Sequence, residues 1–268
     1  MERPRSELGA IERIDREYNQ NMEPILNFKA GLDDTTFYSQ GSMLLGGFYR
    51  GSGVGPRPTA ILLHGVPGVE QNLDVAYALR DQGWNCLYFH YRGSWGSEGN
   101  YSFQGAEDDV SAATEWALEQ PSVDPQRLAM IGNSFGGYLA LSATASDRRV
   151  RATAAMSPLV DTVRDVFDVE IFDKFAGMLT GVTGAELKAQ WDALPSIHTL
   201  QADLNHRPIL LITADSDELF PPSHYESLVI ELSELTWERI AHADHVFSTC
   251  RTQMVKLTVD WLLETLGD

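Results

Sequence analysis

The 268 residues are 43% hydrophobic and 22% charged, a balance that supports a buried core and excludes a disordered, collagen-like or disulfide-stapled chain. Against 38 Asp and Glu stand only 20 Lys and Arg, leaving a formal charge of −18 that repels phosphate backbones and anionic bilayers, so nucleic-acid and membrane-surface partners are not expected. Cys86 and Cys250, far apart, make neither a disulfide framework nor a zinc site and agree with a reducing compartment.

Met1 to Glu7 carries no apolar run of the signal-peptide kind, and no stretch approaches the ~18 apolar residues of a membrane span. A cytoplasmic protein is expected. The length suits one α/β domain with an insertion.

Residues 1 to about 29 are rich in Glu, Arg and Asn, with Leu8, Ile11, Ile14 and Tyr18 at spacings of three and four. The pattern predicts a modest amphipathic helix. Such an arm packs on its own body or on a second subunit, so a homodimer is one expectation. The main body then runs over 30–268. Thr36 to Tyr49 reads as two short strands around the turn Gln40-Gly41-Ser42.

From Pro58 onward apolar strands alternate with amphipathic helices. Strands are predicted at Thr59 to Leu63, Trp84 to Phe89, Arg127 to Ile131, Ala152 to Met156, Pro208 to Thr213 and Leu235 to Ile240. Helices are predicted at Leu73 to Leu79, Phe103 to Leu118, Phe135 to Ala145, Tyr225 to Leu232 and Thr249 to Leu266. Strands without polar alternation are buried on both faces, which requires helices on both sides of a parallel sheet. The expected fold is α/β, with a doubly wound, mostly parallel sheet.

One interval breaks the alternation. Between Pro158 and Arg207 no strand is predicted. Val163, Phe167, Ile171, Phe175 and Leu179 recur every four residues, an amphipathic helix, with another at Ala185 to Leu194 ended by Pro195. A helical insertion at about 159–206 is thus expected, either as a lid over a cleft or as a stripe packed on the body.

The chemistry is concentrated in Gly132-Asn133-Ser134-Phe135-Gly136, a G-x-S-x-G motif between a predicted strand and a predicted helix. A nucleophile that stands clear of a sheet edge needs a tight strand-to-helix turn, and side chains two residues to either side would collide there. The helix N-terminus that follows directs free N–H groups at the same point. Hydroxyl oxygen is a poor nucleophile at neutral pH, so Ser134 needs a base, and the base needs a carboxylate to orient it.

In this fold class the chain order is Ser, acid, His. Asp215, Asp217 and Glu218 follow the strand ending at Thr213. Asp215 leaves the strand directly and serves the turn, Glu218 points to solvent, and Asp217 precedes an apolar-proline segment that buries it. Asp217 is therefore preferred. Of the histidines, only His242 and His245 follow both the last strand and the acid, and His245, just ahead of the closing helix, is the better placed base. His90 reads as a strand-end residue, and His198, His206 and His224 as loop or surface residues. Oxyanion donors are expected from the backbone N–H of Phe135 and, in His64-Gly65-Val66-Pro67-Gly68, from Val66, because Pro67 has no N–H.

Together, His64-Gly65, Tyr91-Arg92-Gly93-Ser94-Trp95-Gly96-Ser97, Gly132 to Gly137, Asp217 and His245 resemble the α/β-hydrolase superfamily. The similarity covers about residues 36 to 268 and is greatest to the carboxylesterase, feruloyl-esterase and prolyl-oligopeptidase-like branches. Ala214 stands where that family has the glycine of G-x-x-D. The resemblance implies that the Arg92 to Gly96 turn buttresses the oxyanion loop, with Trp95 a candidate pocket wall.

The expected activity is a serine hydrolase acting on a small-molecule carboxylic ester through an acyl-enzyme, with Ser134, His245 and Asp217 as the triad and no metal or organic cofactor. A small peptidase, amidase or thioesterase uses the same constellation, and a non-catalytic ligand receptor is the alternative outside catalysis.

Overall fold

A computed structural model describes residues 26–162 and 167–267 of the chain. It opens on an antiparallel hairpin, β2 (Gly31–Ser39) and β3 (Ser42–Arg50), joined at Gln40-Gly41 where both residues have positive φ. Two-residue strands β1 (Asn27–Phe28) and β4 (Gly53–Val54) pair beside it. The expected helical arm therefore does not reach residue 29, and residues 1–25 lie outside the described residues.

Alternation of strand and helix follows. β5 (Arg57–Leu63) leads to α1 (Leu73–Asp81) and β6 (Asn85–Phe89). Then come α2 (Phe103–Leu118), β7 (Val123–Asn133), α3 (Phe135–Ser146) and β8 (Val150–Met156). After the insertion the chain closes with β9 (Ile209–Ala214), α7 (Glu226–Glu231), β10 (Leu235–Ile240) and α8 (Arg251–Leu266).

Among the described residues the main sheet holds eight strands in the order β10-β9-β8-β7-β5-β6-β3-β2. Neighbours from β10 to β6 are parallel, and β3 pairs antiparallel with both β6 and β2, so it alone runs against the other strands. Burial explains the apolar runs 60–63, 128–131 and 209–212 of the inner strands. Ile61, Leu63, Met130 and Leu211 face one core with α2 and α3, while Ala60, Leu62, Ile131 and Ile212 face a second with Val75 and Leu79 of α1 and Met254 and Leu262 of α8. Each fully buried Leu or Ile contributes about 2 kcal/mol. No helix among the described residues is long and apolar enough to cross a membrane.

The insertion between β8 and β9 holds α4 (Val169–Ala176), α5 (Gly184–Asp192) and α6 (Gln201–Leu204). The helix expected from Val163 to Leu179 is thus confined to Val169–Ala176; Val163 lies outside the described residues. Asp168, with extended backbone, caps it by accepting the Ile171 N–H at 3.1 Å, so Phe167 precedes the helix. Leu179 lies beyond it, bridged to Ser94. Phe167 packs edge-on against Phe172 and Phe175, and Leu179 packs on the same core, so the four-residue spacing reports shared burial and not a continuous helix face. α5 matches its predicted position and begins with a capping box between Thr183 and Glu186.

The loop after β6 is held by a buried ion pair. Asp109 of α2 has no side-chain exposure and accepts from the Arg92 backbone N–H at 2.7 Å, Nε at 2.9 Å and Nη2 at 2.6 Å. Nε and Nη2 both donate to Oδ1 while the backbone N–H takes Oδ2, which fixes the side chain and backbone of Arg92 and hence the turn that follows.

Candidate active site

Strand order locates the site. β6 lies on one side of β5 and β7 on the other, so the chain reverses direction across the sheet between β5 and β7. Loops leaving the carboxyl ends of those two strands part there and open a crevice. Residues 64–68 leave β5 on one side, and Ser134 leaves β7 on the other.

Ser134 adopts φ 55° and ψ −123°, a conformation that side-chain-bearing residues rarely take. Its backbone is clamped on both sides: its N–H donates to the Met156 carbonyl and its carbonyl accepts from Leu159, each at 3.0 Å. The flanking glycines are required by space. A Cβ on Gly132 would lie 2.1 Å from the Gly136 carbonyl oxygen, and one on Gly136 would lie 2.0 Å from the Leu63 carbonyl oxygen. Phe135 then begins α3, with its N-terminal end beside the serine.

The register of β5 against β7 pairs Leu63 with Gly132, which brings Gly65 against the elbow. A Cβ at Gly65 would stand 3.1 Å from Ser134 Cβ, so Val66 follows directly from a residue in contact with the serine. The Val66–Pro67 peptide is cis, and the Pro67 carbonyl accepts from Trp95 Nε1–H at 2.7 Å. Trp95 itself has φ 48° and remains 46% exposed, so its indole braces the loop from the solvent side.

Asp217 and His245, the expected acid and base, follow neighbouring parallel strands. Asp217 follows β9 and His245 follows β10, and their side chains meet with Nδ1–H donating to Asp217 Oδ2 at 2.8 Å. Asp217 Oδ1 accepts the N–H groups of Leu219 and Phe220, each at 2.9 Å. Burial raises the Asp217 pKa, but His245 and these two N–H groups outweigh it and hold the carboxyl below its ordinary value. Asp215 is at the surface, paired with Arg239 at 2.7 Å, and Glu218 is exposed. His242 is exposed as well.

Two histidines differ from simple loop residues. His224, expected at the surface, is buried and stacks on Phe220 at 5.3 Å, while Phe220 meets His245 edge-on at the same centroid distance. His64 is fully enclosed, its Nδ1–H donating to the Gly65 carbonyl at 2.8 Å. Burial pushes its pKa down to about 3, so the ring is neutral.

Aromatic side chains span the space between the two halves of the site. Phe135 packs on Phe103, Phe103 on Trp191, Trp191 on Phe167, and Phe167 on Phe220, beside His245. Phe167 and Trp191 belong to the insertion, which is thereby bound to the body next to the elbow. No sequence periodicity signals this arc, because its members come from separate elements. Among the described residues no group of three or more His, Cys, Asp or Glu is placed to hold a metal ion.

Comparisons with known proteins show what the chain is similar to. A sequence model of the prolyl oligopeptidase family matches residues 71–268. A Mycobacterium tuberculosis protein described as uncharacterized is 31% identical over 204 residues, 75% of this chain and 67% of that one. Among solved structures, Est1E of Butyrivibrio proteoclasticus with ferulic acid bound superposes with a TM-score of 0.71 at 16% identity, covering 87% of this chain and 100% of that one. The α/β hydrolase GrgF of Penicillium gives a TM-score of 0.69 at 19% identity, covering 89% and 100%. At these identities the structural likeness establishes a shared α/β-hydrolase fold.

Proposed function

The chain belongs to the prolyl oligopeptidase family, and from the geometry of its site we propose that it is a serine hydrolase that cleaves carboxylic esters through an acyl-enzyme on Ser134. The observation that carries this reading is the 2.8 Å pair between His245 and Asp217, on the sheet edge from which the positive-φ Ser134 also projects.

In the first half-reaction Ser134 Oγ attacks the ester carbonyl while His245 Nε2 takes its proton. Asp217 holds Nδ1–H and so fixes the tautomer that leaves Nε2 free to accept. Negative charge on the carbonyl oxygen is received by the N–H groups of Val66 and Phe135, aided by the N-terminal end of α3. The tetrahedral intermediate collapses as the imidazolium gives its proton to the leaving alcohol. Water then attacks the acyl-serine, with His245 as base, and releases the carboxylic acid and Ser134.

The insertion at 159–206 is read as the cover of this cleft. The arc from Phe103 through Trp191 and Phe167 to Phe220 supports that role and supports an aromatic or medium-length acyl group. That Est1E has ferulic acid bound agrees with an aromatic acyl group.

The family assignment favours a second reading, hydrolysis of an amide or peptide bond by the same residues. Initial rates on p-nitrophenyl acetate, butyrate, octanoate and laurate, beside a matched aminoacyl-amide, separate the two. We expect ester turnover that exceeds amide turnover and is lost in Ser134→Ala and His245→Ala. Faster amide cleavage reverses the ranking. A folded Ser134→Ala protein with undiminished turnover rejects the nucleophile.

A further inference from the structure

His245 lies on the loop between β10 and α8, outside regular structure, yet a base must be held to within about 0.5 Å of its working position. What anchors that loop is Arg251, the first residue of α8. Its Nη1 donates to the carbonyl of Val246, directly after His245, at 3.2 Å. Its remaining donors reach the segment that follows the oxyanion loop. Nε and Nη2 grip Asp74 at 2.8 and 2.5 Å, Nη2 donates to Asn72 Oδ1 at 3.0 Å, and Glu70 Oε1 lies 3.7 Å away. A guanidinium carries five donors in a rigid fork, so one side chain holds both segments in a fixed relation.

The contact continues to the nucleophile. Asn72, 1% exposed, has its Oδ1 committed to Arg251 and donates from Nδ2 to Asn133 Oδ1 at 2.9 Å. Asn133 immediately precedes Ser134, and its amide lies beside Gly65, where a Cβ would be 3.6 Å from Nδ2. Arg251, Asn72 and Asn133 therefore form a continuous hydrogen-bonded line from the loop of His245 to the elbow of Ser134.

We propose that Arg251 is a positioning residue that sets the His245 loop against Ser134 through Asn72 and Asn133. The proposal rests on Ser134 and His245 being nucleophile and base. Arg251 touches neither the substrate nor the reacting atoms; it acts on the alignment of the pair. A misplacement of about 1 Å in such a pair lowers turnover about a hundredfold.

The test uses the full chain with p-nitrophenyl butyrate and with a fluorophosphonate that labels the nucleophilic serine. Arg251→Ala is expected to lower kcat by about tenfold to about a hundredfold with KM within about twofold, and to slow labelling by the same factor. Arg251→Lys, which keeps the charge but not the fork, falls between. Asn72→Gly is the sharper variant, because glycine accepts the φ of 56° at this position while the Asp74 pair stays intact. It is expected to reproduce the kcat loss, and it carries the test if Arg251→Ala does not fold.

Arg251 borders an open cleft of about 600 Å³ lined also by Val69, Glu70, Asp74, Val246 and Ser248. Millimolar guanidinium is therefore expected to restore part of the activity of Arg251→Ala and none of that of Asn72→Gly. Wild-type kcat and labelling rate in folded Arg251→Ala and Asn72→Gly, even with a lowered Tm, overturn the positioning role alone. Absence of Ser134-dependent labelling in the unaltered protein overturns the catalytic reading and this proposal with it.

Discussion

Acid should destabilise this protein through one histidine in particular. His64 is 4% exposed, its Nδ1–H is bonded to the Gly65 carbonyl, and its Nε2 has no hydrogen-bond partner among the described residues. Burial, the larger cause, holds its pKa at about 3, with His90 adding to it. The unfolded chain protonates the same imidazole below about 6.5. Between these values the unfolded state binds the extra proton, so the stability contributed by neutral His64 is complete above about 6.5 and is lost as pH falls toward 3. Between pH 7 and pH 5 the loss amounts to about 2 kcal/mol. His64→Asn keeps an N–H near the position of Nδ1 and removes the titration. Urea unfolding of both proteins at pH 7, 6 and 5 should show the unaltered chain losing about 2 kcal/mol more than the variant across that interval. His90, also lowered by burial, titrates in both proteins and largely cancels in the comparison. Parallel stability profiles would refute the argument, because they would mean that His64 reaches solvent or a partner when protonated.

Three further outcomes test the site and its frame. Asp217→Asn should lower kcat on p-nitrophenyl butyrate by about ten-thousandfold, whereas Asp215→Asn, which breaks only an exposed pair with Arg239, should leave it within about twofold; comparable losses in the two would remove the distinction drawn between them. Gly136→Ala forces a Cβ to 2.0 Å from the Leu63 carbonyl oxygen and should destabilise the fold by about 3 kcal/mol, read as a lowered Tm and loss of turnover; a Tm equal to that of the unaltered protein contradicts the packing argument. Trp95→Phe deletes the 2.7 Å bond to the Pro67 carbonyl and should cost about 1 kcal/mol in stability while lowering kcat several-fold, measured by urea unfolding and initial rates; unchanged kcat would show that the bond does not brace Val66.

Much of this architecture was legible because the signals are local. Strands such as Ile209–Ala214 are continuous apolar runs, and the parallel sheet they require follows from burial on both faces. Gly132 and Gly136 are legible because a two-residue spacing around a serine leaves no space for Cβ atoms. The distance from the strand end set Asp217 apart from Asp215, and the place ahead of α8 set His245 apart from His242; it is Asp217 and His245 whose side chains meet, at 2.8 Å. The helix read from Val163 to Leu179 failed for the complementary reason. Apolar residues at four-residue spacing are also what a tertiary cluster needs, and the Asp168 cap, with its short polar side chain, starts the helix at Val169.

What the amino-acid sequence determined by itself is most of the elements and the tight turn at Ser134, since periodicity, turn sterics and capping act over a few residues. What only the tertiary structure decided is which distant side chains meet. Arg251 and Asn72 lie 179 residues apart and share no pattern, and they meet because β10 and β5 send their loops to the same sheet edge. Trp95 reaches Pro67 for the same reason. Strand order converts sequence distance into contact, and it is set by the joint burial of both sheet faces rather than by any single segment.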